Sequence, residues 1–150
     1  MLKKHFVNFI IIVSACSLFP VFCMAAVSSN TVESARIVGM WFGTHQQDEI
    51  DGDIQTLSRF NSDGTFVIEF RVIQDGKLVG EQVESGTWKL KDGVKTLVTT
   101  HINGYPLSKE EIITDAYYIH KLTNTEQHYE HIKTGAKFNA VRVDEGFVFP

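Results

Sequence analysis

Cysteine is nearly absent from this chain of 150 residues, which has only Cys16 and Cys23, both in its apolar N-terminal segment. If that segment is removed on export, the remaining protein has no disulfide, no thiol nucleophile and no cysteine-based metal site. Its fold must then be held together by the hydrophobic core alone. Removal of residues 1–25 leaves 125 residues, which is enough for one domain and too few for two.

A run of basic residues is also missing. The N-terminal segment contains Lys3 and Lys4 and no acidic residue, so the rest has 12 basic and 18 acidic side chains and a formal charge of −6. An acidic surface repels phosphate backbones, and nucleic acid is therefore not expected as a partner. The same charge disfavours a purely electrostatic attachment to anionic lipid.

The sequence lacks the motifs of common catalytic and metal sites. It has no Gly-x-Ser-x-Gly and no His-Glu-x-x-His, and Glu110 and Glu111 are explained as acids in the first turn of a short helix. The acidic stretch 48–53 does not match the spacing of a calcium loop. His128 and His131 lie three residues apart and would point to opposite faces of a strand. We therefore predict no enzyme, no cofactor and no metal site.

The N-terminal segment has the pattern of a secretory signal. Two lysines precede an apolar run over residues 6–22, and small residues follow near Ala25. This predicts a signal peptide over residues 1–25 and a protein of the periplasm or the secreted fraction. A retained membrane anchor is one alternative. Another is a lipoprotein, because residues 13–16 resemble a bacterial lipobox, although the chain stays apolar after Cys16.

Asp-Gly dipeptides recur at regular intervals and predict tight hairpin turns. Gly adopts positive φ without steric cost, and Asp tolerates the left-handed region. The run 65–74 between two of them alternates apolar and other residues, which is typical of a half-buried strand. The four dipeptides are Asp51-Gly52, Asp63-Gly64, Asp75-Gly76 and Asp92-Gly93.

Together these signals predict an all-β antiparallel meander after a polar leader at 26–36. Gly80 and Gly86, inside one long strand, predict bulges or bends. Residues 103–106 should break the sheet, and Ser108 with Glu111 has the spacing of a capping box, which predicts a single helical turn. We also expect Phe147 and Phe149 of the tail to pack back onto the body. The predicted strands are 37–46, 54–60, 65–74, 78–90, 94–102, 116–122, 126–132 and 137–143.

Two separated features resemble the lipocalins and their wider, calycin-type barrel relatives. Gly39-Met40-Trp41 opens the first strand and Arg142 lies on the last, and segments 60–66 and 86–90 are similar to those of small bacterial lipocalin-like domains. The resemblance implies that residues 37–150 form an up-and-down barrel of about eight strands. It also implies that Trp41 plugs one end, with Arg142 stacked over it.

The resemblance further implies a monomer that binds a small apolar or amphipathic ligand in the cell envelope. The interior of such a barrel is either filled by side chains or holds one small molecule. The alternatives are a solid barrel that binds an envelope protein or inhibits an enzyme through segment 103–115, and an enzyme in the barrel mouth. The residues predicted to contact a ligand are Phe60, Phe66, Ile68, Phe70, Trp88 and Tyr118, with Arg59, His120 and Tyr129 as further polar candidates.

Overall fold

The chain forms an eight-stranded antiparallel β-barrel that is closed on itself. The structure is a computed structural model that describes residues 29–47 and 50–150. The expected signal peptide, including Cys16 and Cys23, lies outside the described residues. The elements are α1 (Ser29–Ile37), β1 (Gly39–Gln47), β2 (Ile50–Phe60), β3 (Thr65–Gln74), β4 (Lys77–Lys91), β5 (Val94–Ile102), β6 (Tyr105–Pro106), β7 (Ile113–Leu122), β8 (Glu126–His131) and β9 (Lys137–Val143).

Hairpin neighbours build most of the barrel wall. Strands β1 to β5 pair in sequence order, β5 pairs onward with β7, and β7, β8 and β9 again pair in order. The two-residue β6 extends only the end of β5. The predicted all-β, up-and-down barrel of about eight strands is therefore confirmed. Within residues 29–47 and 50–150, no helix has the length and apolarity needed to cross a membrane.

The first and last strands close the barrel along a short seam. Strand β1 pairs with β9 at three positions, Met40 with Val143, Trp41 with Arg142 and Phe42 with Val141. The ladders on either side are longer, since β8 and β9 share five pairs. We refer to the three β1–β9 pairs as the seam.

Strand alternation separates the lumen from the outer surface. Side chains of paired residues share a face of the sheet, and Trp41, Ser58 and Ile68 stand opposite one another across β1, β2 and β3. All three are buried. The predicted alternation in β3 is therefore confirmed, and Phe66, Ile68, Phe70 and Val72 face the lumen.

One predicted turn is wrong. Asp51-Gly52 lies inside β2, and the expected loop at 48–53 is strand from Ile50 onward, while 48 and 49 lie outside the described residues. Gly52 has φ +145°, and a Cβ there would lie 2.5 Å from the Ile73 carbonyl oxygen. The close approach of β3 requires glycine at this point, so the dipeptide marks an irregular strand position and not a hairpin. The Asp-Gly pairs beginning at Asp63, Asp75 and Asp92 do form hairpin turns.

The long strand β4 bends where its glycines predict. The register shifts opposite Val72, beside Gly80, and again between Ser85 and Gly86. A Cβ on Gly86 would lie only 1.9 Å from the carbonyl oxygen of Val98. Glycine thus allows β4 and β5 to approach closely where the barrel wall curves.

Residues 103–106 turn the chain instead of breaking the sheet. Asn103 and Gly104 both have positive φ, at 51° and 80°, and lead directly into β6. The Asn103 side chain accepts a hydrogen bond from the backbone N–H of Val83 at 2.8 Å. A hydrogen-bonded turn follows, in which the Ser108 N–H donates to the Glu111 carboxylate at 3.0 Å, as the capping-box spacing predicts. The predicted helical turn does not form, because only one backbone hydrogen bond, from Glu111 to Ser108, closes this segment.

The two ends of the described chain pack against the barrel. Residues 29–37, expected as part of a polar leader, instead form helix α1, which contacts β4 and β7. A helix of nine residues is marginal alone, so tertiary contacts rather than local sequence stabilise it. At the other end Phe147 and Phe149 pack on the outward-facing Phe42, with ring centroids at 5.0 and 6.1 Å, which confirms the expected packing of the tail.

Candidate functional site

One end of the barrel is closed by Trp41 and the segment that follows α1. Trp41 is 1% exposed, and its Nε1–H donates to the Ile37 carbonyl oxygen at 2.7 Å. The guanidinium carbon of Arg142 lies 4.3 Å from the indole centroid. The stacking that the resemblance implied is therefore present, and it fixes this end as the barrel floor.

Arg142 donates to three backbone carbonyls in two separate segments at the floor. Its Nε donates to the Asn124 carbonyl at 2.6 Å, Nη1 donates to Val38 at 2.8 Å, and Nη2 donates to Arg36. Gly39, at φ +127°, leaves room for this guanidinium, because a Cβ there would lie 2.2 Å from Nη1. Gly39, Trp41 and Arg142 thus form one structural unit.

The half of the lumen next to the floor is filled by apolar side chains. Phe60 and Phe66 are 2% and 1% exposed, and Ile68 is also buried. Trp88 packs edge-on against Phe60 at 5.6 Å and donates its Nε1–H to the Asn61 carbonyl at 3.0 Å. This sealed half therefore contains four of the six predicted contact residues in a packed core.

The opposite half of the lumen is lined by aromatic side chains that solvent reaches. Tyr129 stacks on Phe138 with centroids 5.3 Å apart, and Tyr117 meets Tyr129 edge-on at 5.5 Å. These rings and the inward-facing Phe70 and Val72 are each only partly buried. Strand register places all of them on the lumen side of the wall, at the end away from Trp41. We call this region, lined by Phe70, Val72, Tyr117, Tyr129 and Phe138, the open half.

The structure brings most of the predicted contact residues together but leaves some outside. Phe70 and Tyr129, the latter from the set of polar candidates, are partly buried in the open half and pack against the core. Tyr118 is 49% exposed on the outer surface, opposite Val94 and Glu130. Arg59 faces outward and pairs with Glu145 of the tail, and the exposed His120 pairs with Glu130. These three side chains therefore do not line the lumen.

Lys95 is the main lumen residue that sequence reasoning missed. It is 2% exposed, and its ammonium lies 3.8 Å from the ring centroid of Tyr129, 5.1 Å from that of Phe60 and 5.5 Å from that of Tyr117. Its one hydrogen-bond partner among the described residues is Gln127 Oε1 at 3.1 Å. Burial lowers the pKa of Lys95 to about 7.

The sequence carries only a faint signal for Lys95. Strand β5 alternates Lys95, Leu97 and Thr99 on one face with Val94, Thr96 and Val98 on the other, and both faces mix apolar and polar residues. A lysine is almost never fully buried without an acidic partner, which argues for the opposite assignment. Lys95 shares a face of β5 with Leu97, which is the one local indication that it faces the lumen. The pairing of β5 with β4 and β7 decides which face that is.

The tyrosines around Lys95 are neutral at ordinary pH. Burial raises the pKa of Tyr129 to about 12. Burial, together with the nearby Asp115, Tyr129 and Glu84, raises the pKa of Tyr117 as well. Both phenols therefore keep their protons, and Lys95 has no phenolate to pair with.

Among the side chains that the structure describes, the carboxylates of Glu84 and Asp115 face the lumen, and both have hydrogen-bond partners. Glu84 accepts from Thr99 at 3.2 Å and from Gln82 at 2.8 Å, while burial raises its pKa. Asp115 Oδ1 lies 3.2 Å from His131 Nε2. The Nδ1 atom of His131 accepts the backbone N–H of Thr134 at 3.2 Å, so its Nε2 is the protonated nitrogen that donates to Asp115. His131 thus links the neighbouring strands β7 and β8 at the mouth end of the wall.

The remaining histidines do not assemble a metal site. His45 faces the lumen, edge-on to Phe138 at 4.9 Å, and burial lowers its pKa. His128 points outward beside Glu126, whereas His131 points inward, as their spacing in a strand predicts. Among the residues that the structure describes, no three His, Cys, Asp or Glu side chains come together as a metal site.

A shallow cleft of about 150 Å³ lies at the floor end, outside the lumen. It is lined by polar residues of α1 and β7 together with a few apolar ones, namely Glu33, Arg36, Leu90, Gly93, Ile119, His120, Lys121 and Leu122. The cleft lacks the aromatic lining and the buried charge of the open half. The open half is therefore the stronger candidate site.

By its fold, the protein belongs to the class of closed eight-stranded antiparallel β-barrels. Trp41 and Arg142 close one end of this barrel, and partly buried aromatic side chains line the lumen towards the other end. Comparison of the sequence with protein-family models and with curated proteins finds no match. The geometry of the lumen is therefore the basis on which a function can be assigned.

Proposed function

We propose that the protein is an exported, lipocalin-like barrel that binds one small amphipathic molecule in the cell envelope. Membership of the lipocalin-like group is supported by the Gly39, Trp41 and Arg142 unit at the floor and by the up-and-down topology. Export is supported by the signal-like pattern of residues 1–25.

The observation that carries the binding proposal is the change in side-chain exposure along the lumen. Trp41, Phe60 and Phe66 near the floor are at most 2% exposed, whereas Tyr129 and Phe138 towards the mouth are partly accessible. Apolar surface that water reaches inside a concave site gains free energy when a ligand covers it. The accessible rings favour an apolar tail, and the polar groups beside them favour an amphipathic molecule.

Binding is tested by native mass spectrometry against a panel of single-chain amphiphiles, combined with displacement of an apolar fluorescent probe. A Val72→Trp variant should fill the open half and reduce probe binding by about tenfold or more, because Val72 faces the lumen. The matched control is Val67→Trp, which adds the same ring on the outer face of the same strand. Equal probe binding by the two variants would place the binding site elsewhere.

Export has its own test. Mass spectrometry of the mature N-terminus from the producing cell should show a chain that begins near Ala26. A diacylglycerol-modified Cys16 would replace this proposal by a lipid-anchored protein.

A second candidate function is binding of an envelope protein at the mouth. Tyr105 is 77% exposed on β6, and Leu78 and Val79, at the start of β4, are about half exposed. Exposed apolar side chains of this kind are common at protein interfaces. In a periplasmic pull-down with a cross-linker, Tyr105→Ser should reduce recovery of a specific partner while amphiphile binding is unchanged. Retention of every partner by Tyr105→Ser and Lys109→Ser would remove this surface from consideration.

A further inference from the structure

Burial of Lys95 in the lumen disfavours the charged form of its side chain. Its ammonium is surrounded by Phe60, Tyr117 and Tyr129, and no carboxylate of the described residues lies within ion-pair distance of it. Gln127 accepts one of its three N–H groups, and the remaining neighbours described for the ammonium are the three aromatic rings. A buried cation without an anion is costly to a folded protein.

An apolar side chain of similar length would pack here at lower cost. Replacement of buried charges by hydrophobic residues is often neutral or stabilising. Residues that break such rules are found preferentially at functional sites. Lys95 also lies at the boundary between the sealed and the open half, because its ammonium is near both the buried Phe60 and the partly buried Tyr117 and Tyr129.

We propose that Lys95 binds the anionic head group of the amphiphile, so that the ligand enters head first and leaves its tail in the open half. This inference rests on the proposed function and narrows its ligand to single-chain acids, with carboxylates as the first class to test. The bound anion supplies the ion pair that Lys95 lacks, and the low-polarity surroundings strengthen that pair. The tail then covers Phe70, Val72 and Phe138.

None of the other titratable groups described in the lumen is suited to binding an anionic head group. Glu84 is hydrogen-bonded to Thr99 and Gln82, and Asp115 is hydrogen-bonded to His131. Burial raises the pKa of Glu84, which favours its neutral form. Tyr117 and Tyr129 are protonated, and burial lowers the pKa of His45. Lys95 is therefore the lumen-facing group whose positive charge a carboxylate can neutralise.

The test compares decanoate with decanol, which share a tail and differ in head-group charge. The wild-type protein should bind decanoate about tenfold or more tightly, the ratio expected for a charge-assisted hydrogen bond. Lys95→Met should lose that preference while its affinity for decanol stays within about threefold of wild type. Lys89→Met is the matched control, because Lys89 is exposed on the outer face of β4 and its loss changes net charge equally.

A pH series supplies a second readout that does not depend on the folding of any variant. Decanoate affinity of the wild type should fall as pH rises from about 6 to about 9, because Lys95 loses its proton, while decanol affinity stays constant. The charged and titratable groups that face the lumen with it are Glu84, Asp115, Tyr117, Tyr129, His131 and His45.

The outcomes separate the two proposals. If neither decanoate nor decanol binds, the proposed function fails and the head-group inference fails with it. If both bind equally to the wild type, or if Lys95→Met keeps the preference for decanoate, lumen binding stands and the role of Lys95 is refuted. A preference that both Lys95→Met and Lys89→Met lose would assign the effect to net charge and also overturn the inference.

Discussion

At the scale of single residues, Trp41 has the largest structural role at the floor. It is fully buried, hydrogen-bonded through its indole and covered by Arg142. We expect Trp41→Ala to lower the free energy of unfolding by about 3–5 kcal/mol, the range for truncation of a buried aromatic side chain. Urea denaturation measures the change, with Tyr118→Ala as an exposed control that should stay within about 0.5 kcal/mol. Unchanged melting of Trp41→Ala would refute its assignment as the plug.

Arg142 should stabilise the folded protein through its three hydrogen bonds to backbone carbonyls as well as through its charge. Arg142→Ala leaves the carbonyls of Arg36, Val38 and Asn124 without these donors, and we expect a loss of about 2 kcal/mol. Arg142→Lys should recover only part of that loss, because an ammonium cannot reach three divergent acceptors and stack on the indole at once. Full recovery by lysine in thermal denaturation would contradict the geometric argument.

The pKa of Lys95 predicts a distinctive dependence of stability on pH. Its folded-state pKa of about 7 lies below the unfolded value of 10.5, so between these values the unfolded chain binds more protons. The penalty of the buried charge is therefore complete below about pH 7 and shrinks as pH rises towards about 10. We expect Lys95→Met to melt above wild type at pH 6.5, and this difference should narrow by pH 9.5 when scanned by calorimetry, with Lys89→Met showing no such trend.

The roles of single residues could be predicted where a sequence motif indicates them. They could not be predicted where the orientation of a side chain depends on how strands pair. The Gly39, Trp41 and Arg142 unit was predictable because spacing and a known resemblance pointed to it. Lys95 was not, because its face of β5 is set by ladders to two other strands. The sequence predicts Tyr118 as a ligand contact, yet the neighbouring Tyr117 is the residue that faces the lumen.

At the scale of elements, glycines in β4 control how the wall curves. A Cβ at Gly86 would meet the backbone of Val98, which cannot move without distorting β5. We expect Gly86→Ala to destabilise the protein by about 2 kcal/mol or more, through strain where two strands meet. The control is Gly146→Ala, whose Cβ would meet nothing within 4 Å and should change stability by less than about 0.5 kcal/mol. Equal melting of the two variants would show that the ladder adapts.

The tail acts as a cover over the outer face of β1. Phe147 and Phe149 pack on Phe42, and Arg71 lies 4.1 Å from the ring centroid of Phe149. We expect the double variant Phe147→Ser, Phe149→Ser to lose about 1–3 kcal/mol, since both rings return to water. Val148→Ser changes an exposed position in the same segment and should have no measurable effect in the same urea titration. Comparable losses in both proteins would exclude specific packing of the tail.

The boundaries of elements show which local signals are dependable. Strands β3, β5 and β9 begin and end where alternation and turn residues predict. Helix α1 was missed because a nine-residue helix is formed by its packing on β4 and β7, which the polar composition of residues 29–36 does not reveal. The turn predicted at Asp51-Gly52 is wrong because an Asp-Gly dipeptide occurs both in hairpin turns and at irregular positions inside strands.

At the scale of the whole molecule, short connections made the closed barrel predictable. Successive hairpins bring neighbours together, and closure removes exposed strand edges. The sequence could not decide between a filled and a partly open interior, because that depends on how far each inward side chain reaches across the lumen. The structure combines both, with a packed core over Trp41 and an accessible region lined by Tyr117, Tyr129 and Phe138.

The seam gives the barrel a defined order of assembly. Every other wall ladder joins strands that are close in the chain, whereas β1 and β9 must meet across nearly the whole described sequence with three residue pairs. Loop-closure entropy makes such a distant contact the slowest to form. Folding should therefore proceed through hairpins and finish at the seam, with the Arg142 contacts made last. Amide hydrogens of Met40 to Phe42 should exchange before those of β3 under native conditions, because the ring opens where it closes last.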